Sequence, residues 1–486
     1  MLFNSIDFAI FLPIVFILYW FVTNKSLKLQ NFLIVASSYL FYGWWDWRFL
    51  SLLLFSSLVD YFIGLGLLNQ ENKTKRRVLL STSILVNLGL LGFFKYYNFF
   101  LDNFITAFSF FGTEIKANSL NIILPVGISF YTFQTLSYTI DVYKRKLEPT
   151  KDFIAFSAFV SFFPQLVAGP VERATNLLPQ FQSKRTFDYE KAVDGVRQIL
   201  WGLFKKIVIA DNCAEYANRV FNNSSEYSGS TLALGAIFFA FQIYGDFSGY
   251  SDIAIGTSRL FGFDLMRNFS FPYFSRDIAE FWRRWHISLS TWFRDYLYIP
   301  IGGSQGNILT KVRNIFIVFI VSGFWHGANW TFIAWGFLNA LYIMPSIIFN
   351  THRTNLDIVA KGKYLPTIKE FLAISITFCL TVFAWIFFRA ANIGHACHFV
   401  LDMISGFAHK TSYYQTYIML SRIGFIFLFL LSVFILIEWL GREGQYAISN
   451  LGMKWKRPLR YVMYYSIVIS IILFGGKEQQ FIYFQF

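Results

Sequence analysis

Charge is what this chain of 486 residues lacks most. Only 14% of its residues are Asp, Glu, Lys or Arg, against about 25% in a typical soluble protein. Acid is scarcer than base, with 28 Asp and Glu facing 42 Lys and Arg. Cysteine is nearly absent. Cys213, Cys379 and Cys397 show no paired spacing, which argues against a disulfide framework and against a zinc site. Low-complexity tracts, long linkers and internal repeats are missing as well. The last absence counts against many transporter architectures, which are built from repeated halves.

What fills the chain is apolar: 55% hydrophobic and 21% aromatic residues, with a mean hydropathy of +0.47. Runs long enough to cross a bilayer, about 20 residues each, recur over nearly the whole length. The expected spans are 8–23, 31–44, 49–69, 78–101, 119–140, 228–247, 314–331, 332–350, 371–390, 417–440 and 461–476, and 190–222 is a candidate for one more. The fold class is therefore an all-α polytopic membrane protein of about eleven transmembrane helices, with residues 1–486 forming one membrane domain. The first run, "FAIFLPIVFILYWFV", has no basic stretch before it and no small-residue cleavage site after it. It reads as a retained span rather than a signal peptide.

The net charge of +14 is distributed in a way that speaks for topology rather than nucleic acid. Basic residues gather in alternate short loops: Lys25 and Lys28; Lys73, Lys75, Arg76 and Arg77; Lys144, Arg145 and Lys146; Lys361, Lys363 and Lys369; Lys454, Lys456, Arg457 and Arg460. Loops of this kind face the cytoplasm. Counting spans from them places both termini outside a multi-pass protein of the cell membrane.

Three stretches make poor simple spans: "FSAFVSFFPQLVAGPVER" (156–173), "QIYGDFSGYSDIAIGTSRLFGF" (242–263) and "DIAEFWRRWHISLSTWFRDYLYIPIGGS" (277–304). Backbone that breaks a helix at membrane depth survives only where protein buries it or water reaches it. Such re-entrant or amphipathic pieces imply an enclosed cavity or tunnel. Asp246 and Asp252, in the second stretch, are expected to pair with Arg259 or to cap helix ends.

Within 277–296 a single helix would carry two stripes. Trp282, Trp285, Leu289, Trp292 and Tyr296 make an aromatic face, and Arg283, His286, Ser290 and Arg294 a polar one. An interfacial helix touching lipid phosphate would look alike, but would not account for a histidine between two arginines. A second imidazole, His326, lies in "VSGFWHGANW", inside a run without Asp, Glu, Lys or Arg from Asn314 through His352. A buried ring satisfied by a carbonyl or by Asn329 would account for it. Ionisable groups inside spans more often face a cavity or a substrate path, and imidazole is the side chain suited to taking a proton near neutral pH. "HACH" (395–398) has no further ligand nearby, so no metal site is expected. "PIGGSQG" (300–306) lacks the lysine of a phosphate loop.

Six stretches together resemble the membrane-bound O-acyltransferase family, in its bacterial branch of polysaccharide O-acetyltransferases and D-alanyl transfer proteins. They are "MLFNSIDFAIFLPIVFILYW" at the start, "LPVGISFYTFQTLSYTIDVYKRK" (124–146), "FFPQLVAGPVER" (162–173), "YGDFSGYSDIAIG" (244–256), "FWRRWHISLSTWFRDYLYIPIGGS" (281–304) and "SGFWHGANWTFIAWG" (322–336). The resemblance implies a ring of helices around a thin centre, with a central tunnel from a cytoplasmic mouth to an outer funnel. It places the family's catalytic histidine on His326 and its second histidine on His286. The implied tunnel would be lined by Trp325, Asn329, Ser290 and Asp246.

The implied chemistry is transfer of an acyl group from a cytoplasmic thioester to a hydroxyl outside. The donor is acetyl-coenzyme A or another acyl thioester, and no cofactor is permanently bound. His326 would be general base, and His286 would orient the donor or polarise its carbonyl. Arg283, Arg284 and Arg294 would attract donor phosphates, or else anchor to anionic membrane lipids. Chain length points to acetyl transfer onto an exported or cell-surface polysaccharide, completed by an extracytoplasmic SGNH-hydrolase-like partner. The alternatives are D-alanyl transfer from a carrier protein, a transporter or flippase that uses His326 as a proton relay, and a non-catalytic scaffold. No nucleic acid partner is expected.

Overall fold

A computed structural model describes residues 1–110, 119–351, 353–475 and 479–482. Among these residues the regular structure is entirely helical. Seven helices are long and apolar enough to cross a membrane, or eight if the pair Lys410–Ile423 and Phe425–Leu440, bent by 88°, is one broken span. Expected spans 31–44 and 49–69 fall in one helical run, Leu27–Leu68, divided where Asp46 is extended and a short turn, Trp47–Phe49, follows. The first expected span coincides with a shorter apolar helix, Ile6–Val22. Expected span 119–140 needs correction: its helix begins only at Ile128 and runs to Tyr143, because Pro125 lies just ahead and supplies no amide hydrogen.

The chain divides into two compact units, Met1–Gly195 with Thr257–Met266, and Val196–Gly256 with Arg267–Phe486. In the first, side-chain caps begin the helices: Ser5 accepts from the Phe8 amide, Asn72 from Thr74 and Lys75, and Asp152 from Ile154 and Ala155. A polar knot joins helices Leu50–Leu68, Lys73–Leu91 and Ile128–Tyr143. Asp60 accepts from Ser83 Oγ (2.5 Å), Asn87 Nδ2 (2.7 Å) and Thr139 Oγ1 (3.1 Å). Three donors satisfy a buried carboxylate that would otherwise be costly in an apolar interior. The expected interruption at 156–173 is present: the helix Phe153–Ser161 ends, a single turn Phe163–Leu166 follows, and the backbone then runs irregular and buried. Arg259 binds Asp194 at 2.5 Å.

The second unit corrects the expectation at 242–263. Ser230–Leu260 is one helix of 31 residues, and its glycines serve close packing rather than interruption. A Cβ on Gly249 would lie 2.8 Å from the Gly202 carbonyl oxygen, and one on Gly245 would lie 2.9 Å from that of Lys205. The close approach lets Lys205 reach Asp252 at 2.5 Å, and Lys206 reach Asp246 at 2.9 Å and Asp211 at 2.8 Å. Asp246 and Asp252 therefore pair with lysines, not with Arg259. Helix Ile308–His326 turns through 327–329 into Trp330–Ile348. The two pack closely because Gly323 faces the Phe332 carbonyl and Gly336 that of Phe319. Helix Ile368–Arg389 starts at a capping box made by Thr367 and Glu370.

Candidate active site

His326 is the last residue of its helix, not a mid-span residue. Its side chain is buried, with the residue only 6% exposed. Three aromatic rings surround the imidazole: Trp325 at 4.9 Å, Trp335 at 5.2 Å and Phe388 at 5.2 Å between centroids. Trp385 stacks on Trp335 at 5.7 Å and lies 5.1 Å from Trp285, which extends the aromatic wall. Asn329 caps the next helix instead of serving the imidazole. Its oxygen accepts from the Thr331 amide at 3.0 Å, and its nitrogen donates to the Ala391 carbonyl at 2.8 Å.

The single helix expected over 277–296 is two short ones, Ile278–Arg284 and Ile287–Phe293, followed by a wider turn over Arg294–Tyr298. The break falls on His286, whose backbone is left-handed at φ 45° and ψ 53°. That conformation costs a residue with a side chain about 1–3 kcal/mol, and surrounding contacts hold it. The Ile287 amide donates to the Asn268 carbonyl at 2.8 Å, and the Ser270 amide to that of Arg284 at 2.9 Å. The kink turns His286 out of the expected polar stripe and into the interior, where the residue is 1% exposed. Its ring meets Phe247 edge-on at 4.6 Å and lies 6.3 Å from Trp325. The two histidines thus share one indole neighbour.

His286 Nδ1 lies 3.0 Å from Asn268 Oδ1. The same oxygen accepts from Ser288 Oγ at 2.8 Å, and Asn268 Nδ2 donates to Ser251 Oγ at 3.1 Å. Burial pushes the imidazole down from 6.5 to about 3, so the ring is neutral at physiological pH. Among the described residues no group of three His, Cys, Asp or Glu could hold a metal ion. His395 instead contacts Ser224 Oγ at 3.1 Å.

The model of the membrane-bound O-acyltransferase family matches residues 150–386. The chain is 40% identical over 408 residues to "Probable alginate O-acetylase AlgI" of Azotobacter vinelandii, covering 83% of this chain and 78% of that protein. It is 36% identical over 433 residues to the peptidoglycan O-acetyltransferase of Helicobacter pylori, covering 83% and 80%. It is 31% identical over 297 residues to the teichoic acid D-alanyltransferase of Streptococcus thermophilus, covering 57% and 69%. The chain belongs to the membrane-bound O-acyltransferase family.

In this O-acyltransferase the remaining expected site residues are scattered. Arg284 is buried and paired with Glu280 at 2.7 Å. Arg283 is exposed, donating to the Asn355 carbonyl at 2.7 Å, and Arg294 is exposed against Asp295 at 2.7 Å. Ser290 Oγ donates to the Trp285 carbonyl at 3.3 Å. Asp246 is held by Lys206 and by the Ile482 amide at 2.7 Å. Trp325 is the tunnel candidate that touches both imidazoles. Sequence reasoning missed Asn268, Phe247, Trp335 and Phe388. Tryptophan and phenylalanine are too common here for the rings to stand out, and the spacing between Asn268 and His286 carries no helical or strand period.

Proposed function

We propose that this O-acyltransferase moves an acetyl group from a cytoplasmic thioester, acetyl-coenzyme A, to a hydroxyl of an exported or cell-surface polysaccharide, or of a partner transferase that passes it on. The observation that carries the reading is the aromatic enclosure of His326 beside His286. Excluding water strengthens each hydrogen bond made inside such a site.

In the proposed reaction His326 takes the proton of the acceptor hydroxyl, and the oxygen attacks the thioester carbonyl. The tetrahedral intermediate collapses to the ester and releases the thiolate, to which the proton is returned. Positioned proton transfer of this kind contributes about 10²–10⁴-fold. His286 orients the donor or polarises its carbonyl. Arg283 and Arg294, with exposed guanidinium groups, are the arginines suited to donor phosphates. Acetyl is preferred because the relatives named for O-acetyl transfer match over 83% of this chain, and the relative named for D-alanyl transfer over 57%. A partner of the SGNH-hydrolase type on the outer side completes the transfer.

The test uses purified protein in detergent with radiolabelled acetyl-coenzyme A. Binding or slow hydrolysis of that thioester is expected. Indifference to it, together with binding of an aminoacylated carrier protein, would replace acetyl transfer by D-alanyl transfer. Failure with both thioesters, together with proton-coupled substrate flux in vesicles, would support a transporter.

A further inference from the structure

We propose that Asn268 is the positioning residue of His286, fixing its ring as the Nδ1–H tautomer so that Nε2 meets the donor as a hydrogen-bond acceptor. The inference rests on the reading of His286 as a donor-orienting residue, and it narrows that reading. An imidazole whose Nδ1–H is donated to Asn268 has a lone pair, not a hydrogen, at Nε2. Such a ring cannot polarise the thioester carbonyl by donating to it. It can accept from an N–H or O–H of the donor, such as an amide in the arm that carries the thioester.

Four observations support the assignment. Asn268 Oδ1 has two side-chain donors, His286 Nδ1 at 3.0 Å and Ser288 Oγ at 2.8 Å. The Ser288 amide also lies toward that oxygen at 3.4 Å, and an amide nitrogen there could not accept from it. Asn268 Nδ2 is tied to Ser251 Oγ on the long helix Ser230–Leu260. The main chain of Asn268 grips the residue after His286, through the Ile287 amide at 2.8 Å. Side chain and backbone of one residue therefore hold both the ring and the left-handed kink that aims it. Phe247, at 4.6 Å, walls the ring on another side. Metal-bound histidines are set in the same way by the partner of their second nitrogen.

The test is ¹⁵N solid-state NMR of the full-length protein labelled at histidine. The His286 signals are identified by their loss in His286→Gln. The wild type should show protonated Nδ1 and unprotonated Nε2. Asn268→Leu should shift the ring to the other tautomer or to a mixture, and Asn268→Asp, which keeps the accepting oxygen, should preserve it. With acetyl-coenzyme A as donor, Asn268→Leu should raise the donor KM or lower turnover by about tenfold, roughly the effect of one buried hydrogen bond. Asn268→Asp should recover most of that loss. A purely structural asparagine would lower the amount of folded protein and leave tautomer and kinetics of the remainder unchanged, which would overturn the proposal. An Nε2–H ring in the wild type would overturn it as well. Full activity of His286→Ala would remove the functional reading of His286 itself, and the nitrogen signals do not depend on that reading.

Discussion

His326 meets Trp335 edge-to-face, with ring centroids 5.2 Å apart and planes at 88°. The contact crosses the tight hairpin between helices Ile308–His326 and Trp330–Ile348. It places the imidazole against an indole ring.

His326→Gln should abolish acyl transfer, with a loss of about 10²–10⁴-fold if the ring is the general base. The amide keeps a hydrogen-bonding group of similar reach but cannot take the proton. The measurement is acyl transfer in cells matched for membrane protein level. Wild-type activity would return His326 to the packed interior as a structural residue.

His286→Ala should be milder if that ring orients the donor. The loss should appear mainly in the donor KM, and raising donor concentration should restore part of the rate. A loss confined to turnover, unmoved by donor concentration, would exclude an orienting role.

Acid should destabilise the protein through His286. The folded value near 3 lies below the ordinary 6.5, so the unfolded chain takes up a proton that the native state refuses. Stability from this group is intact above pH 6.5 and falls as pH drops from there toward 3. Melting temperatures in detergent, measured above and below that value, should decline less in His286→Asn than in the wild type. Asparagine tolerates the left-handed backbone and does not titrate. Identical slopes would refute the assignment.

Gly323→Ala should disrupt the hairpin that carries His326. A Cβ there would lie 2.2 Å from the Phe332 carbonyl oxygen, and overpacking of this kind typically costs about 1–3 kcal/mol. Gly89→Ala, with nothing within 4 Å of the new carbon, should be neutral or slightly stabilising. Thermal unfolding of the two variants side by side checks the difference.

The orientation expected from the basic loops, with residues 454–457 cytoplasmic and both termini outside, can be tested by labelling. A cysteine introduced in 454–457 should react with an impermeant thiol reagent only after permeabilisation. A tag following Phe486 should be reached in intact cells. Labelling of 454–457 from outside would reverse the orientation.

Composition and local spacing account for much of the architecture. Long apolar runs must be helices in a bilayer, since no water is there to satisfy an open backbone. The buried break at 156–173 and the glycine-flanked His326 were legible for similar reasons. The surroundings of His286 come from residues remote from it in the chain. The periodicity of 277–296 predicts an unbroken helix, yet Asn268, 18 residues earlier in the chain, anchors a left-handed kink through side chain and backbone. Likewise Gly245 and Gly249 read as helix breakers, until the carbonyls of Lys205 and Gly202 are seen packed against them. Asp246 and Asp252 offered Arg259 as a nearby partner in sequence, but a lysine approaching from another helix is closer in space and satisfies each buried carboxylate. Helix formation in lipid is governed by local hydrogen bonding, whereas aim and pairing depend on residues that only the folded chain brings together.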